Sequence, residues 1–153
     1  MSDAPPVPDT APLFTLFNEV GIVNQLSSAM FEARLPPGFL VSQFGVLNHL
    51  IRVRDGRTPL DLARAFQVPK TTMTHTLGLL EGHGFVRLEP NPDDGRRKCV
   101  WITDAGRTFR EQAIASLGPE LTALAGRLDM AAIRSLVPLM IELRKVMDEA
   151  RNR

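Results

Sequence analysis

Residues 58–106 read TPLDLARAFQVPKTTMTHTLGLLEGHGFVRLEPNPDDGRRKCVWITDAG, and this stretch decides the fold. Its first four residues, Thr58 to Asp61, form a strong helix start. Thr58 can cap the helix, the proline after it fits the first helical position, and Asp61 completes a capping box. The sequence therefore predicts a short helix, a turn at Gln67-Val68-Pro69, and a second helix that ends near Gly82, where His83-Gly84 suits a C-cap.

The second of these helices has an apolar side and a polar side. Met73, Leu77 and Leu80 recur at helical spacing and predict the buried side. The opposite side is polar and carries Lys70, Thr71, Thr74, His75 and Gly78. Threonine and histidine can bond base edges or phosphates, and lysine can meet a phosphate. Taken alone, a solvated helix face with a chance glycine is the simpler interpretation.

A basic hairpin follows the second helix. Phe85–Pro90 and Lys98–Ile102 are predicted strands, and the tip between them begins Asn91-Pro92-Asp93-Asp94-Gly95 and continues with Arg96 and Arg97. Asp94 is close enough to orient the guanidinium of Arg96, and an oriented arginine suits a narrow minor groove. A soluble basic turn is the alternative. A polar helix face followed by a basic hairpin predicts a mainly α fold, a winged helix-turn-helix with a two-stranded β wing.

Charge is distributed unevenly along the 153 residues. The net charge of +1 argues nothing about nucleic acid. Residues 52–110, however, hold eleven Lys/Arg and seven acidic residues, which gives a net charge of +4, whereas residues 1–51 carry −3. The positive charge falls on the segment that would face DNA, as phosphate contact requires. A solvated basic surface would have the same charge.

The segments on either side of this region are predicted to be mainly helical. Prolines predict a flexible arm over residues 1–12. Residues 13–53 would form N-terminal helices for dimerisation and support, one from Leu13 to Ala33 and one capped by Ser42. Residues 54–106 form the predicted DNA-binding region. Residues 107–153 would form C-terminal dimerisation helices.

Two helices are predicted towards the C-terminus. Thr103-Asp104 caps a long one, in which Pro119 predicts a kink near Ala115. Asp129 caps the last helix, and Pro138 implies a kink there as well. Apolar residues repeat along the last helix at near-heptad spacing, as helix-on-helix packing requires. They are Ile133, Leu136, Met140, Leu143 and Met147.

The sequence offers little for catalysis or metal binding. Its three histidines and Cys99 match no zinc spacing. No nucleophile–base set and no glycine-rich phosphate loop is visible. We therefore expect no enzyme activity, no metal and no cofactor. With a single cysteine, no signal-peptide pattern and no membrane-spanning run, we expect a cytoplasmic protein without a membrane partner.

Blocks of sequence that are typical of one family follow one another at the expected spacing. They are Ser42-Gln43-Phe44-Gly45-Val46-Leu47, Leu60-Asp61-Leu62-Ala63, Thr71-Thr72-Met73-Thr74, Leu80-Glu81-Gly82-His83-Gly84-Phe85-Val86-Arg87, Pro92-Asp93-Asp94-Gly95-Arg96 and Ile102-Thr103-Asp104-Ala105-Gly106. Over about residues 13–150 the chain resembles the multiple antibiotic resistance regulator (MarR) family. The wing block and the Ile-Thr-x-x-Gly after it are the most diagnostic.

The resemblance implies a homodimer, built from N- and C-terminal helices, that binds a pseudo-palindromic operator in double-stranded DNA. Such proteins often repress nearby genes and release DNA when a small, often aromatic, acid binds. The family's base-reading positions correspond here to Lys70, Thr71, Thr72, Thr74 and His75. The wing arginine corresponds to Arg96, which Arg97 follows and Asp94 braces. The rival interpretation is a winged helix used for protein contact, with no DNA role.

Three departures from the family pattern bear on function. Pro69 stands where a small polar cap is frequent, so the recognition helix loses a side-chain cap, for which the fixed φ of proline can compensate. His75 stands where many members have arginine, so the operator sequence does not carry over and phosphate attraction at neutral pH is weaker. Cys99 is far from the N-terminal cysteine of peroxide-sensing members, so redox sensing does not carry over.

The resemblance also implies an effector pocket between the dimer helices and the winged domain. Candidates for its lining are Phe31, Phe44, Asn48, His49 and Arg52, of which residues 44, 48 and 52 recur at helical spacing. The alternative interpretation makes Phe44 a core residue and Arg52 a solvated one.

Overall fold

The computed structural model describes residues 8–151, so residues 1–7 of the predicted arm lie outside the described residues. The chain divides into two compact units, one up to Ile114 and one from Ala115. The helices are α1 (Ala11–Glu32), α2 (Val41–Arg52), α3 (Pro59–Ala65), α4 (Lys70–Gly82), α5 (Asp104–Ser116), α6 (Gly118–Ala125) and α7 (Met130–Arg151). The strands are β1 (Val86–Pro90) and β2 (Lys98–Ile102). This mainly helical fold with a two-stranded antiparallel sheet confirms the predicted fold class.

The core of the first unit is built by α2, α3, α4 and the two strands. Its fully buried apolar side chains include Val46, Leu47, Leu50, Leu62, Leu77, Leu80, Val86 and Val100. Burial of one such leucine stabilises the fold by about 1.5–3 kcal/mol. The helical spacing of Met73, Leu77 and Leu80 predicted the inner side of α4 correctly.

Local helix-start signals proved reliable at two positions. Thr58 Oγ1 accepts the N–H of Asp61 at 3.1 Å, as predicted for the start of α3. Asp129 Oδ1 accepts the N–H groups of Ala131 and Ala132 at 2.9 and 3.2 Å, so it caps α7. In both cases a side-chain oxygen satisfies donors that the first helical turn cannot pair.

The predicted cap of α2 is wrong. Ser42 lies inside the first turn, and the N-cap is Leu40, whose N–H donates to Gln43 Oε1 at 3.2 Å. The N–H of Val41 donates to Glu32 Oε1 at 2.9 Å. Two longer polar side chains thus satisfy the helix start, and one of them comes from α1.

Helix α1 begins two residues before the predicted start at Leu13. Pro12 lies in its first turn, where the missing N–H costs nothing. The N–H of Ala11 donates to Asp9 Oδ1 at 3.1 Å. The proline that was expected to keep this segment irregular therefore helps to start the helix.

The prediction of one long helix after Thr103 is wrong. Pro119 does not kink a continuous helix: α5 ends at Ser116 and α6 begins at Gly118, with the proline in its first turn. A proline ring crowds the carbonyl four residues earlier and donates no hydrogen bond, which explains the break beside Ala115. In the second unit α7 continues through Pro138 as one assigned helix.

Neither α1 nor α7 contains a buried residue in the single chain. Among residues 8–151, no helix is both long enough and apolar enough to cross a bilayer.

Candidate nucleic-acid interface

Helix α4 is held in place by α3 through a tight turn. Val68 N–H donates to Ala63 O at 3.0 Å and Gln67 N–H to Arg64 O at 3.2 Å. Gln67 has a φ of +52°, a conformation that L-residues with a side chain adopt at a cost of about 1–2 kcal/mol. Met73 on α4 is buried in the core. This packing fixes which side of α4 faces outwards.

The outward side of α4 includes the polar face that the sequence predicts. Its residues are all exposed: Lys70, Thr71, Thr74, His75 and Gly78. Thr72, which the family resemblance adds, is exposed as well. Pro69 is the N-cap and provides no side-chain acceptor for the first turn, whose N–H groups carry the positive end of the helix dipole. Thr74 Oγ1 donates to Lys70 O at 2.9 Å, so its lone pairs are left to accept. A Cβ on Gly78 would meet nothing within 4 Å.

The wing is an antiparallel hairpin with a structured tip. Val86 pairs with Ile102 at its base, and Pro90 pairs with Lys98 at its outer end. Across the tip, Asn91 N–H donates to Arg97 O at 2.7 Å. These backbone bonds fix the direction in which the exposed tip side chains leave the sheet.

Asp94 braces the tip in a way that corrects the sequence prediction. Its Oδ1 accepts the backbone N–H of Arg96 at 3.1 Å, and its Oδ2 lies 3.6 Å from Nε of Arg97. The carboxylate therefore holds position 96 through the main chain and pairs with the guanidinium of the next residue. Within residues 8–151, no hydrogen bond or ion pair engages the guanidinium of Arg96.

The base of the wing joins three elements through one acidic side chain that sequence reasoning missed. Asp55 Oδ1 accepts the N–H of Ile102 at 3.0 Å, and its Oδ2 lies 3.2 Å from Nη2 of Arg107 on α5. From the sequence, no role is predicted for Asp55. No local pattern signals a contact that spans 47 residues.

The diagnostic Ile-Thr-x-x-Gly block has a packing reason. Thr103 Oγ1 donates to Gly84 O at 2.6 Å and accepts Gly106 N–H at 3.0 Å. A Cβ on Gly106 would lie 2.2 Å from Phe85 O, so only glycine allows the first turn of α5 to approach this closely. The block fastens α5 to the end of α4 and the start of the wing.

The five predicted effector-pocket residues do not share one environment. Phe31 and Phe44 meet edge to face with ring centroids 4.5 Å apart, and Phe44 is buried. Asn48 Oδ1 accepts two hydrogen bonds from Arg110 of α5, from Nε at 3.2 Å and from Nη2 at 3.0 Å. Arg110 was not identified from the sequence, because it lies 62 residues from Asn48.

His49 and Arg52 lie in a different setting. The His49 ring packs against Phe66, with centroids 5.3 Å apart, and its buried Nε2 has no hydrogen-bond partner among residues 8–151. Arg52 is exposed on the last turn of α2. Burial, together with the positive charges of Arg57 and Arg52, holds the pKa of His49 below its ordinary value. The uncharged imidazole is therefore favoured.

Comparisons with known proteins agree with this geometry. Residues 38–97 match the sequence model of the MarR family. The chain is 32% identical over 114 residues to the multiple antibiotic resistance protein MarR of Escherichia coli K12, which covers 69% of this chain and 78% of that protein. It is 30% identical over 96 residues to the transcriptional activatory protein BadR of Rhodopseudomonas palustris, covering 61% and 53%.

Similarity in structure extends over most of the chain. A crystal structure of a mutant MarR from Escherichia coli complexed with operator DNA has a TM-score of 0.68 and 25% sequence identity to it. The match covers 90% of this chain and 99% of that one. With the exposed polar helix, the wing and the MarR relative in agreement, the protein belongs to the MarR family of winged-helix transcription regulators.

Proposed function

We propose that this protein is a sequence-specific DNA-binding transcription regulator, acting as a repressor that a small-molecule effector releases from DNA. The observation that carries the proposal is that one compact unit exposes both the polar face of α4 and the basic tip of the wing. The MarR relative solved with operator DNA supports the same mode of binding here.

In this proposal α4 enters the major groove. Thr71, Thr72, Thr74 and His75 contact base edges, and Lys70 meets a phosphate beside the N-terminus of the helix. Because the Thr74 hydroxyl donates to the backbone, it is set to accept a hydrogen bond from a base amino group. Adenine and cytosine present such donors in the major groove.

The wing contacts DNA at a second place. The Arg96 guanidinium is exposed, and no ion pair within residues 8–151 engages it, so it is the side chain that enters the minor groove. Arg97 shares its charge with Asp94 and lies nearer to the phosphates. A contact of this kind reads groove width and potential more than base identity.

A second copy of the chain would cover the apolar surfaces of the terminal helices. On α1 the exposed apolar residues are Leu13, Phe14, Phe17, Val20, Ile22, Val23 and Leu26. On α7 an apolar groove of about 370 Å³ is lined by Ile133, Leu136, Val137, Met140, Ile141 and Arg144. Exposed apolar surfaces of this extent mark interfaces. A two-fold dimer would present two winged helices to a pseudo-palindromic operator.

The effector proposal is modified by the contacts of Arg110. A small aromatic acid would place its carboxylate on the Arg110 guanidinium, since Nε and Nη2 together match a carboxylate and now share one neutral oxygen of Asn48. The edge-to-face pair of Phe31 and Phe44 would pack against the aromatic part from one side. His49 is less suited to such a pocket, because it packs against Phe66 instead, and Arg52 is exposed.

A regulator of this kind works on chromosomal DNA, so we also propose that the protein acts in the cytoplasm. Repression is part of the proposal and follows the family resemblance. A reporter gene placed behind the selected operator should be expressed less when the protein is present, and expression should recover when an effector is added.

The decisive experiment is selection of DNA fragments by the purified protein, followed by sequencing. We expect enrichment of a pseudo-palindrome with half-sites about one helical turn apart. Sedimentation of the free protein at micromolar concentration should show a dimer. No enrichment of any sequence, together with unchanged mobility of DNA from its own promoter region, would favour the protein-contact alternative.

A further inference from the structure

The connection between α2 and α3, residues 53–58, is joined to the wing by two backbone hydrogen bonds and by one carboxylate. Asp55 Oδ1 accepts the backbone N–H of Ile102 at 3.0 Å and also that of Gly56 at 3.0 Å. The other oxygen lies 3.2 Å from Nη2 of Arg107, near the start of α5. Asp55 is the side chain through which this connection, the base of β2 and α5 are linked.

The carboxylate stands in the place of a strand carbonyl. Along the outer edge of β2, Val100 N–H donates to Arg57 O at 2.8 Å and Gly56 N–H donates to Val100 O at 3.0 Å. Amide groups two residues apart in a strand point to the same edge, so Ile102 N–H points there too. Opposite Ile102 the backbone of the connection has turned away from β2, and the Asp55 side chain provides the acceptor instead. Ile102 is buried, so loss of this acceptor would leave a buried N–H unpaired.

The turn beside Asp55 is shaped by close packing. Gly56 has a φ of +70°, and a Cβ there would lie 2.6 Å from Cη2 of Trp101. The indole therefore covers the turn directly. Trp101 is the single tryptophan of the chain, so its fluorescence reports on this junction.

We propose that Asp55 is a positioning residue for DNA binding, which holds the wing at a fixed angle to the helix-turn-helix. The inference rests on the proposed function. Asp55 touches no DNA in this arrangement; it acts through the wing that carries Arg96.

The physical reason is that α4 and the wing are two linked contacts on one duplex. Once α4 is seated, the wing binds with an effective concentration that depends on how well the link is preorganised. If the wing can move at its base, the effective concentration of Arg96 at the minor groove falls, and binding weakens although Arg96 itself is unchanged. The effect of Asp55 on affinity should therefore disappear when the wing makes no contact.

The affinity test is a double-mutant cycle between Asp55 and Arg96 on the selected operator. We expect Asp55→Ala to weaken binding about tenfold, the size of a typical coupling within one network, and to lower the salt dependence of binding. In the Arg96→Ala background, Asp55→Ala should cause almost no further loss. Additive losses in the double variant would overturn the proposal, because they would show that Asp55 acts independently of the wing.

Two further variants separate the contacts of the carboxylate. Asp55→Asn changes the charge as Asp55→Ala does but keeps a side-chain carbonyl for the Ile102 N–H, so it should lose less affinity. Asp148→Asn on α7 is the control, since it also removes an acid paired with arginines, at 3.5 Å from Arg144 and 3.3 Å from Arg151. Its effect on operator affinity should be the same with and without Arg96→Ala, so it should show no coupling to Arg96. A coupling between Asp148 and Arg96 as large as the one between Asp55 and Arg96 would count against the proposal.

A second readout needs no DNA and tests the inference even if the proposed function fails. In Asp55→Ala, amide hydrogen exchange should speed up in β1 and β2 while α4 keeps its protection, and Trp101 emission should shift towards that of exposed indole. Unchanged exchange in the strands would overturn the positioning role. So would equal acceleration in the strands and α4, which would indicate general loss of stability.

Discussion

The carboxylate of Asp94 lies 3.6 Å from Nε of Arg97, so the positive charge of Arg97 is partly neutralised at the wing tip. The backbone N–H of Arg96 donates to the same carboxylate at 3.1 Å, which orients the residue without engaging its guanidinium. The two neighbouring arginines should therefore contribute differently to DNA binding.

The wing prediction follows from this difference. Arg96→Ala should weaken binding to many sequences together and lower the slope of log affinity against log salt, because a positively charged contact in the minor groove is lost. Arg97→Ala should do so less, since its charge is already shared with Asp94. Asp94→Ala should cause a smaller loss than Arg96→Ala, because it removes the acceptor of the Arg96 N–H but also frees the charge of Arg97. Affinities at two salt concentrations decide this; unchanged affinity and slope for Arg96→Ala would exclude a DNA contact by Arg96.

On α4 we expect changes in base preference instead. Thr74→Val keeps the branched shape but removes the hydroxyl, and His75→Ala removes the imidazole. Each should alter the preferred base at one operator position, at about 1–3 kcal/mol per lost contact. Thr76→Val is the control, because Thr76 Oγ1 makes the same kind of bond, to Thr72 O at 3.1 Å, while the residue is half-buried. If single-base operator variants rank identically for Thr74→Val and wild type, Thr74 reads no base.

Gly78 should lower the stability of the fold but favour close approach of α4 to DNA. Alanine there would meet no atom within 4 Å, and glycine in a helix interior costs about 1 kcal/mol relative to alanine. Gly78→Ala should therefore raise the free energy of unfolding in urea, yet lower operator affinity because the methyl group lies on the proposed DNA face. Gly82→Ala, at the end of α4 and also without neighbours, should leave affinity unchanged. Unaltered affinity in Gly78→Ala would argue against close approach of this face to DNA.

Stability should decrease on mild acidification because of His49. Burial and the charges of Arg57 and Arg52 hold its pKa in the folded protein below the ordinary 6.5. Just below pH 6.5 the unfolded chain therefore binds more protons than the folded one, so the free energy of unfolding falls as pH decreases. Above that range His49 contributes no pH dependence.

The measurement is the urea midpoint of wild type and His49→Gln between pH 7.5 and 5.5. The variant should lose less stability across this range. Identical pH dependence in wild type and His49→Gln would contradict the prediction.

The sequence by itself determined the order and type of elements in the DNA-binding region. Thr58 and Asp129 mark helix starts, and the spacing of Met73, Leu77 and Leu80 marks the inner side of α4. These signals are local: a cap acts within three residues, and a helical stripe repeats every three or four. The outward face of α4 follows directly from the inner one.

Tertiary structure alone decided which distant residues meet. Asn48 accepts from Arg110, and Asp55 joins Ile102 to Arg107, because folding brings segments 47 to 62 residues apart into hydrogen-bond range. The failed cap at Ser42 has the same cause, since Glu32 from α1 supplies one of the acceptors. A side chain's local preference is known from its neighbours in sequence, but the partner that satisfies it is chosen by packing, which no spacing rule within one segment encodes.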